Sequence, residues 1–188
     1  MPKMKRKNTK ISRVIAKRGL IIVHTGDGKG KTSAALGIML RSLIHGFNVA
    51  MVQFIKGKWK TAEQKLTQLF PERLEIFTMG DGFTWNTKNK KQDIKSAKLA
   101  WSKCIELVSS GRYDLIVLDE VNYVLDYGFL KVNDVLRVIK NKPDNLHIIL
   151  TGRNAKKSII KAADLVTEMK EIKHPFKKGI IAQRGIEF

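Results

Sequence analysis

The stretch Val23-His24-Thr25-Gly26-Asp27-Gly28-Lys29-Gly30-Lys31-Thr32-Ser33 leaves this chain few ways to fold. Four apolar residues, Leu20 to Val23, precede it as a buried strand requires. Ala34-Ala35-Leu36-Gly37-Ile38-Met39-Leu40 follows it and reads as a buried helix. Strand, glycine-rich turn, Gly-Lys-Thr and helix, in that order, make a phosphate-binding loop. Glycines let backbone N–H groups turn inward, and the helix aims its positive end at the same point. Lys31 supplies a mobile charge and the Thr32 hydroxyl a ligand for Mg²⁺. The usual G-x-x-x-x-G-K-[ST] spacing is altered: Thr25 stands where the first glycine belongs, and the glycines fall at 26, 28 and 30.

Such a loop needs a sheet behind it, and the rest of the chain supplies one. Apolar runs suggest strands at 20–24, 48–54, 74–79, 114–120, 146–150 and 165–169, with a last strand or edge at 180–188. Helices are expected at 31–45, 61–69, 88–110, 131–140 and 155–163, with a short helix or turn at 122–127. Strands alternating with helices predict an α/β fold of the P-loop, RecA-like kind: an open, mostly parallel sheet with helices on both faces. The expected organisation is a basic arm, 1–18, partly disordered and able to form a lid helix, then one α/β domain over 19–188.

Ligands of parallel sheets bind beyond the carboxyl ends of strands. The residues there are therefore the candidates. Asp114-Leu-Ile-Val-Leu-Asp-Glu120 is an apolar strand closed by two carboxylates and resembles a Walker B strand. Asp119 or Glu120 could hold Mg²⁺ there. Gln53 to Trp59 leaves the second strand as a polar, aromatic and glycine-containing stretch. Gly80-Asp-Gly-Phe-Thr-Trp-Asn-Thr87 puts two large aromatics in a loop, which is costly unless they meet a flat or apolar surface. Thr151-Gly-Arg-Asn154 leaves a later strand with Arg153 pointing to the phosphates. Lone His174 reads as structural from its residues alone.

Charge narrows the partners less. The net charge is +19, and residues 1–18 contain eight Lys or Arg and no acid. Nucleotides, nucleic acids and acidic proteins all suit such a field. The single cysteine, Cys104, rules out an intramolecular disulfide and reads as a packing residue. No apolar run reaches the roughly 18 residues of a membrane span, so a cytoplasmic location is expected.

Taken together, the motifs resemble the P-loop class of corrinoid adenosyltransferases over residues 19–188. They are Thr25-Gly-Asp-Gly-Lys-Gly-Lys-Thr32, Val52-Gln-Phe-Ile-Lys-Gly57 with Trp59, Gly82-Phe-Thr-Trp85, and Val117-Leu-Asp-Glu120 with Asn122. They continue as Leu150-Thr-Gly-Arg153, Lys173-His-Pro-Phe176, and Ala182-Gln183 with Gly185-Ile186. Asp27 and Ala62 depart from the residues common there.

The resemblance implies transfer of the adenosyl group of ATP to Co(I) of a corrinoid, with loss of triphosphate. It implies ATP contacts at Thr25, Gly26, Asp27, Gly28, Lys29, Gly30, Lys31, Thr32, Ser33 and Arg153. Metal ligands would be Thr32 and Glu120, with Asp119 second or alternate. Corrinoid contacts would be Phe83, Trp85, Asn122, His174 and Gln183, with Lys31, Phe83 and Trp85 the catalytic residues. A reduced flavoprotein donor and a homodimer are implied too, and nucleic acid and membrane are not expected as partners. A RecA-like ATPase acting on nucleic acid would explain the loop, the acids and the charge. It leaves Gly82-Phe-Thr-Trp85 and Lys173-His-Pro-Phe176 without a purpose, and a regulatory module without chemistry explains less.

Overall fold

The computed structural model describes residues 18–55, 62–79 and 90–187. The chain runs β1 (Ile21–Thr25), α1 (Lys31–Ile44), β2 (Val49–Gln53), a 3-10 turn (Ala62–Lys65) leading into α2 (Leu66–Leu69), and β3 (Leu74–Thr78). It continues as α3 (Lys90–Ser109), β4 (Leu115–Asp119), α4 (Val121–Asp126), α5 (Val132–Lys140), β5 (His147–Thr151), α6 (Lys157–Ala162), β6 (Leu165–Glu168) and a 3-10 turn (Pro175–Lys178). The six strands form one sheet in the order β3-β2-β4-β5-β1-β6, and every described pairing is parallel. This is the expected P-loop architecture.

Strand alternation builds two cores, one on each face. Ile21, Val23, Ala50, Val52, Ile116, Leu118, Ile148 and Leu150 meet α3, α4, α5 and α6. Their strand neighbours Ile22, Val49, Met51, Leu115, Val117 and Ile149 meet α1. Both faces are covered, so the central strands carry apolar residues at every position rather than alternating with polar ones. On α3, Ala97, Ala100, Trp101, Cys104, Leu107 and Val108 are buried at helical spacing. Burial pushes the Cys104 thiol far above its ordinary value, consistent with a packing role.

Two expectations need correction. α1 is amphipathic rather than buried all round: Ala35, Met39 and Leu43 line the sheet, while Ile44 is 72% exposed. Residues 180–188 do not add a strand among the described positions; 180–183 have no regular structure and 184–187 turn. Gly179 and Gly185 both take positive φ (75° and 81°), which breaks an extended run on either side of Ile180 and Ile181. β6 is the sheet's edge, exposed along its length. Among the described residues no helix is long and apolar enough to cross a membrane.

The topology decides where a site can form. β1, β4 and β5 are central neighbours or one strand apart, so the loop after β1, the acids ending β4 and the turn leaving β5 all emerge at one sheet edge.

Candidate active site

At that edge the strands end in polar, buried residues: His24 and Thr25 on β1, Gln53 on β2, Asp119 on β4 and Thr151 on β5. Strand register aligns Gln53 with Asp119 and His24 with Thr151. The Asp119 side chain lies at the centre. Thr32, in the first turn of α1, donates its hydroxyl proton to Asp119 Oδ1 at 2.8 Å. Thr151 donates to the same oxygen at 2.8 Å. The Glu120 amide donates in turn to Thr151 Oγ1 at 2.8 Å. Glu120 sits at φ 64°, the left-handed region that an L residue occupies only at a cost.

These residues suit a hard cation. A hydroxyl that gives its proton to a carboxylate keeps lone pairs for a metal, and Thr32 is held in that state. Its neighbours Asp119 and Glu120 bring carboxylate oxygen, the donor type Mg²⁺ prefers. No group of three His, Cys, Asp or Glu that could hold a metal ion occurs among the described residues.

The phosphate loop is closed on its own lysine. Lys31 Nζ donates to the Gly26 carbonyl at 2.8 Å and the Gly28 carbonyl at 2.6 Å. Burial holds its pKa below the ordinary lysine value, and the Arg153 guanidinium adds to the effect. Gly30, at φ 107°, ends the loop, and its carbonyl accepts from Ala34 N–H at 2.8 Å to start α1. The buried His24 ring faces the Lys31 carbonyl at 3.3 Å, and burial lowers its pKa.

The glycines have a reason that the motif did not reveal. The segment after β6 is zipped onto the loop: Met169 N–H donates to Thr25 C=O at 2.8 Å, and Gly28 N–H donates to Met169 C=O at 2.7 Å. A Cβ on Gly26 would lie 2.4 Å from the Met169 carbonyl oxygen. On Gly28 it would lie 2.8 Å from the Lys170 carbonyl carbon. The Gly28 amide, expected to face phosphate, is committed to Met169. Lys29 pairs with Glu187, tying the end of the chain to the loop. Ser33 is exposed on the first turn of α1.

The turn after β5 docks on the other side of the loop. Thr25 Oγ1 accepts from Ala155 N–H at 3.2 Å, and Arg153 donates to the Asp27 carbonyl at 3.2 Å. Arg153 is thus at the loop. Asn122 is fully buried, and its Nδ2 donates to Gly152 C=O at 3.3 Å; its Oδ1 has no hydrogen-bond partner among the described residues. His174 caps the last 3-10 turn, its Nδ1 accepting from Phe176 N–H at 3.1 Å, and Gln183 is exposed. Phe83, Trp85, the stretch from Lys56 to Trp59, and the arm up to residue 17 lie outside the described residues.

The comparisons with known proteins identify the family of the chain. The profile of the ATP:corrinoid adenosyltransferase family BtuR/CobO/CobP matches residues 17–188. The chain belongs to the ATP:corrinoid adenosyltransferase family. It is 45% identical to a corrinoid adenosyltransferase of Sinorhizobium sp, over 99% of this chain and 90% of that one. Against the corrinoid adenosyltransferase of Pseudomonas aeruginosa the identity is 44%, over 99% and 94%. Against that of Escherichia coli K12 it is 36%, over 96% and 91%. Among solved structures, the flagellar accessory protein FlaH from Methanocaldococcus jannaschii aligns with a TM-score of 0.56 at 14% identity, covering 81% of this chain and 71% of that one. That likeness shows the fold alone. The chain is an enzyme of this adenosyltransferase family, as its motifs implied.

Two parts of this adenosyltransferase's edge were given no role from the motifs. One is Thr151, which stands within Leu150-Thr-Gly-Arg153 but was assigned nothing there. The other is Asp126, at the end of α4, which accepts from Lys156 Nζ at 2.6 Å and from Asn154 Nδ2 at 2.8 Å. Asn154 is in the left-handed region at φ 55°. Asp126 therefore anchors both flanks of the turn that presents Arg153. The Lys156 ammonium, with the Asn154 amide, holds the Asp126 carboxyl below its ordinary value of 3.8. A carboxyl lowered in the folded state contributes stability above its unfolded pKa and loses it as pH falls through the folded pKa. Asp126→Asn should therefore flatten the loss of stability below about pH 4, read as denaturant midpoints across pH. The pair is solvent-screened, so the change should be about 1 kcal/mol or less. Asp164, similarly lowered, keeps part of the acid limb in the variant.

Proposed function

We propose that this enzyme transfers the 5′-deoxyadenosyl group of ATP to the Co(I) centre of a corrinoid and releases triphosphate. The observation that carries this reading is the Thr32–Asp119 hydrogen bond at the mouth of the loop, 2.8 Å long. It sets a hydroxyl and a carboxylate beside Lys31 in a chain whose family is named for ATP and corrinoids.

In this reading the Co(I) electron pair attacks C5′ of ATP. The Co–C bond forms, the C5′–O bond breaks, and its electron pair leaves with the triphosphate. Lys31 and Arg153 stabilise the charge that gathers on the leaving group. Thr32 with Glu120 and Asp119 would hold Mg²⁺, which supplies further positive charge to the triphosphate. Any amide contribution falls to loop residues other than Gly28. Since Co(I) is already a strong nucleophile, holding C5′ in line with it accounts for much of the rate.

Further proposals come from the motifs. Phe83 and Trp85 lie against the corrin and displace its lower axial ligand, which makes Co(II) easier to reduce. Asn122, His174 and Gln183 complete the corrinoid side. The arm of residues 1–18 closes over bound ligands, and residues 19–188 form the single catalytic domain. A reduced acidic flavoprotein delivers the electron to the positive surface. The enzyme works as a cytoplasmic homodimer, without nucleic acid.

The test is the product. Enzyme, ATP, Mg²⁺ and a chemically reduced corrinoid are followed by ³¹P NMR. Free triphosphate in step with the adenosylated corrinoid is expected. ADP and phosphate as the products would overturn this reading in favour of a RecA-like ATPase.

A further inference from the structure

Thr151 has no part in the chemistry so far, yet its hydroxyl bonds both the Asp119 carboxylate and the Glu120 backbone amide. It is fully buried at the end of β5. It donates to Asp119 Oδ1 at 2.8 Å and accepts from the Glu120 amide at 2.8 Å. Thr32 donates to that same Oδ1, also at 2.8 Å. One hydroxyl thus connects the loop's metal-facing threonine, the β4 carboxylate and the strained backbone of the next residue. The Glu120 bend at φ 64° is held by this bond at its own amide.

We infer that Thr151 is the positioning residue that sets Asp119 and Glu120 for cation binding at the mouth of the loop. Its proton leaves Asp119 Oδ1 turned toward Thr32 rather than rotated away. Its lone pair keeps the Glu120 backbone in the left-handed turn, which fixes the direction in which that carboxylate leaves β4. Without it, the Glu120 amide loses its acceptor and the bend loses a restraint. The proposal rests on reading this edge as the Mg²⁺ site.

The experiment uses the full chain with ATP present and Mn²⁺ as the probe, titrated by the loss of the free-ion EPR signal. Partners that orient metal ligands commonly govern about 10–100-fold in metal affinity. Thr151→Val keeps the shape and removes both bonds, so Mn²⁺ should bind about 10-fold or more weaker. Thr151→Ser, which restores the hydroxyl, should return to within about 3-fold of the parent, well inside that range. ATP affinity measured without divalent metal should be the same in all three, a result that a general loss of structure would not give. Should Thr151→Val not yield folded protein, Thr151→Cys takes its place, since a thiol of similar reach is a weak donor. Parent-like Mn²⁺ binding in the folded Val or Cys variant overturns the inference and leaves the metal site standing. If the parent itself binds no Mn²⁺ in the presence of ATP, the cation reading falls and this inference with it.

Discussion

Lys31→Ala should lower adenosyl transfer by about 2–4 kcal/mol in transition-state stabilisation, or roughly 30- to 1,000-fold in rate. The enzyme should remain folded. The Lys31 ammonium bonds to the carbonyls of Gly26 and Gly28, at 2.8 and 2.6 Å. Among the described residues it is the one side chain that bonds to both carbonyls. Burial, and then Arg153, hold its pKa down. A partly buried ammonium beside another cation gains when an anion arrives, and gains most when that anion acquires charge. In the proposed reaction the triphosphate is most negative as it leaves. The interaction is therefore stronger in the transition state than in the complex with ATP, which is the condition for an effect on kcat. The loss should fall mainly on kcat, with a smaller rise in KM for ATP. Steady-state kinetics with chemically reduced corrinoid, beside a melting curve, separate the two. A raised KM with parent-like kcat would confine Lys31 to binding.

The sheet was readable because its central strands are buried on both faces and so appear as short apolar runs, each closed by a turn. Val49 to Val52 and Leu115 to Leu118 are of this kind, and both are wholly buried. The site was readable where a motif carries its own chemistry, as Lys31, Thr32 and Asp119 do. It was not readable where the reason is a contact between distant segments. Gly26 and Gly28 belong to the phosphate loop in sequence, but their closest neighbours are Met169 and Lys170. Thr151 and Asp126 act through partners far along the chain, and neither lies in a pattern that names a role. The C-terminal run Ile180-Ile181-Ala182 has the composition of a strand. With β6 exposed at the edge, the left-handed glycines at 179 and 185 turned the chain instead. Lys29 then secures Glu187 near the loop.

That distant contact gives the other large expected effect. Gly26→Ala should destabilise the ligand-free enzyme by about 2–4 kcal/mol, combining backbone strain with forced displacement of packed chain. Gly26 is at φ 92°, a conformation that costs an L residue, and an added Cβ would lie 2.4 Å from the Met169 carbonyl oxygen. Neither party can yield cheaply. The loop is anchored by Thr25, whose carbonyl accepts from Met169 N–H at 2.8 Å, and the opposing segment by the bond from Gly28 N–H to Met169 C=O at 2.7 Å. For a chain of this size the loss corresponds to a fall in Tm of about 5–15 °C. Gly30→Ala is the control. Its φ of 107° brings strain, but the nearest atom to an added Cβ is the flexible Met169 Sδ at 3.5 Å, so its Tm should fall less. The comparison tests what these glycines are for. If they serve only to let phosphate approach the backbone, Gly26→Ala leaves the apo enzyme's Tm near that of Gly30→Ala and weakens ATP alone. If they admit the segment after β6, the apo protein melts earlier, and ATP affinity falls with it because the same displaced loop must bind the triphosphate.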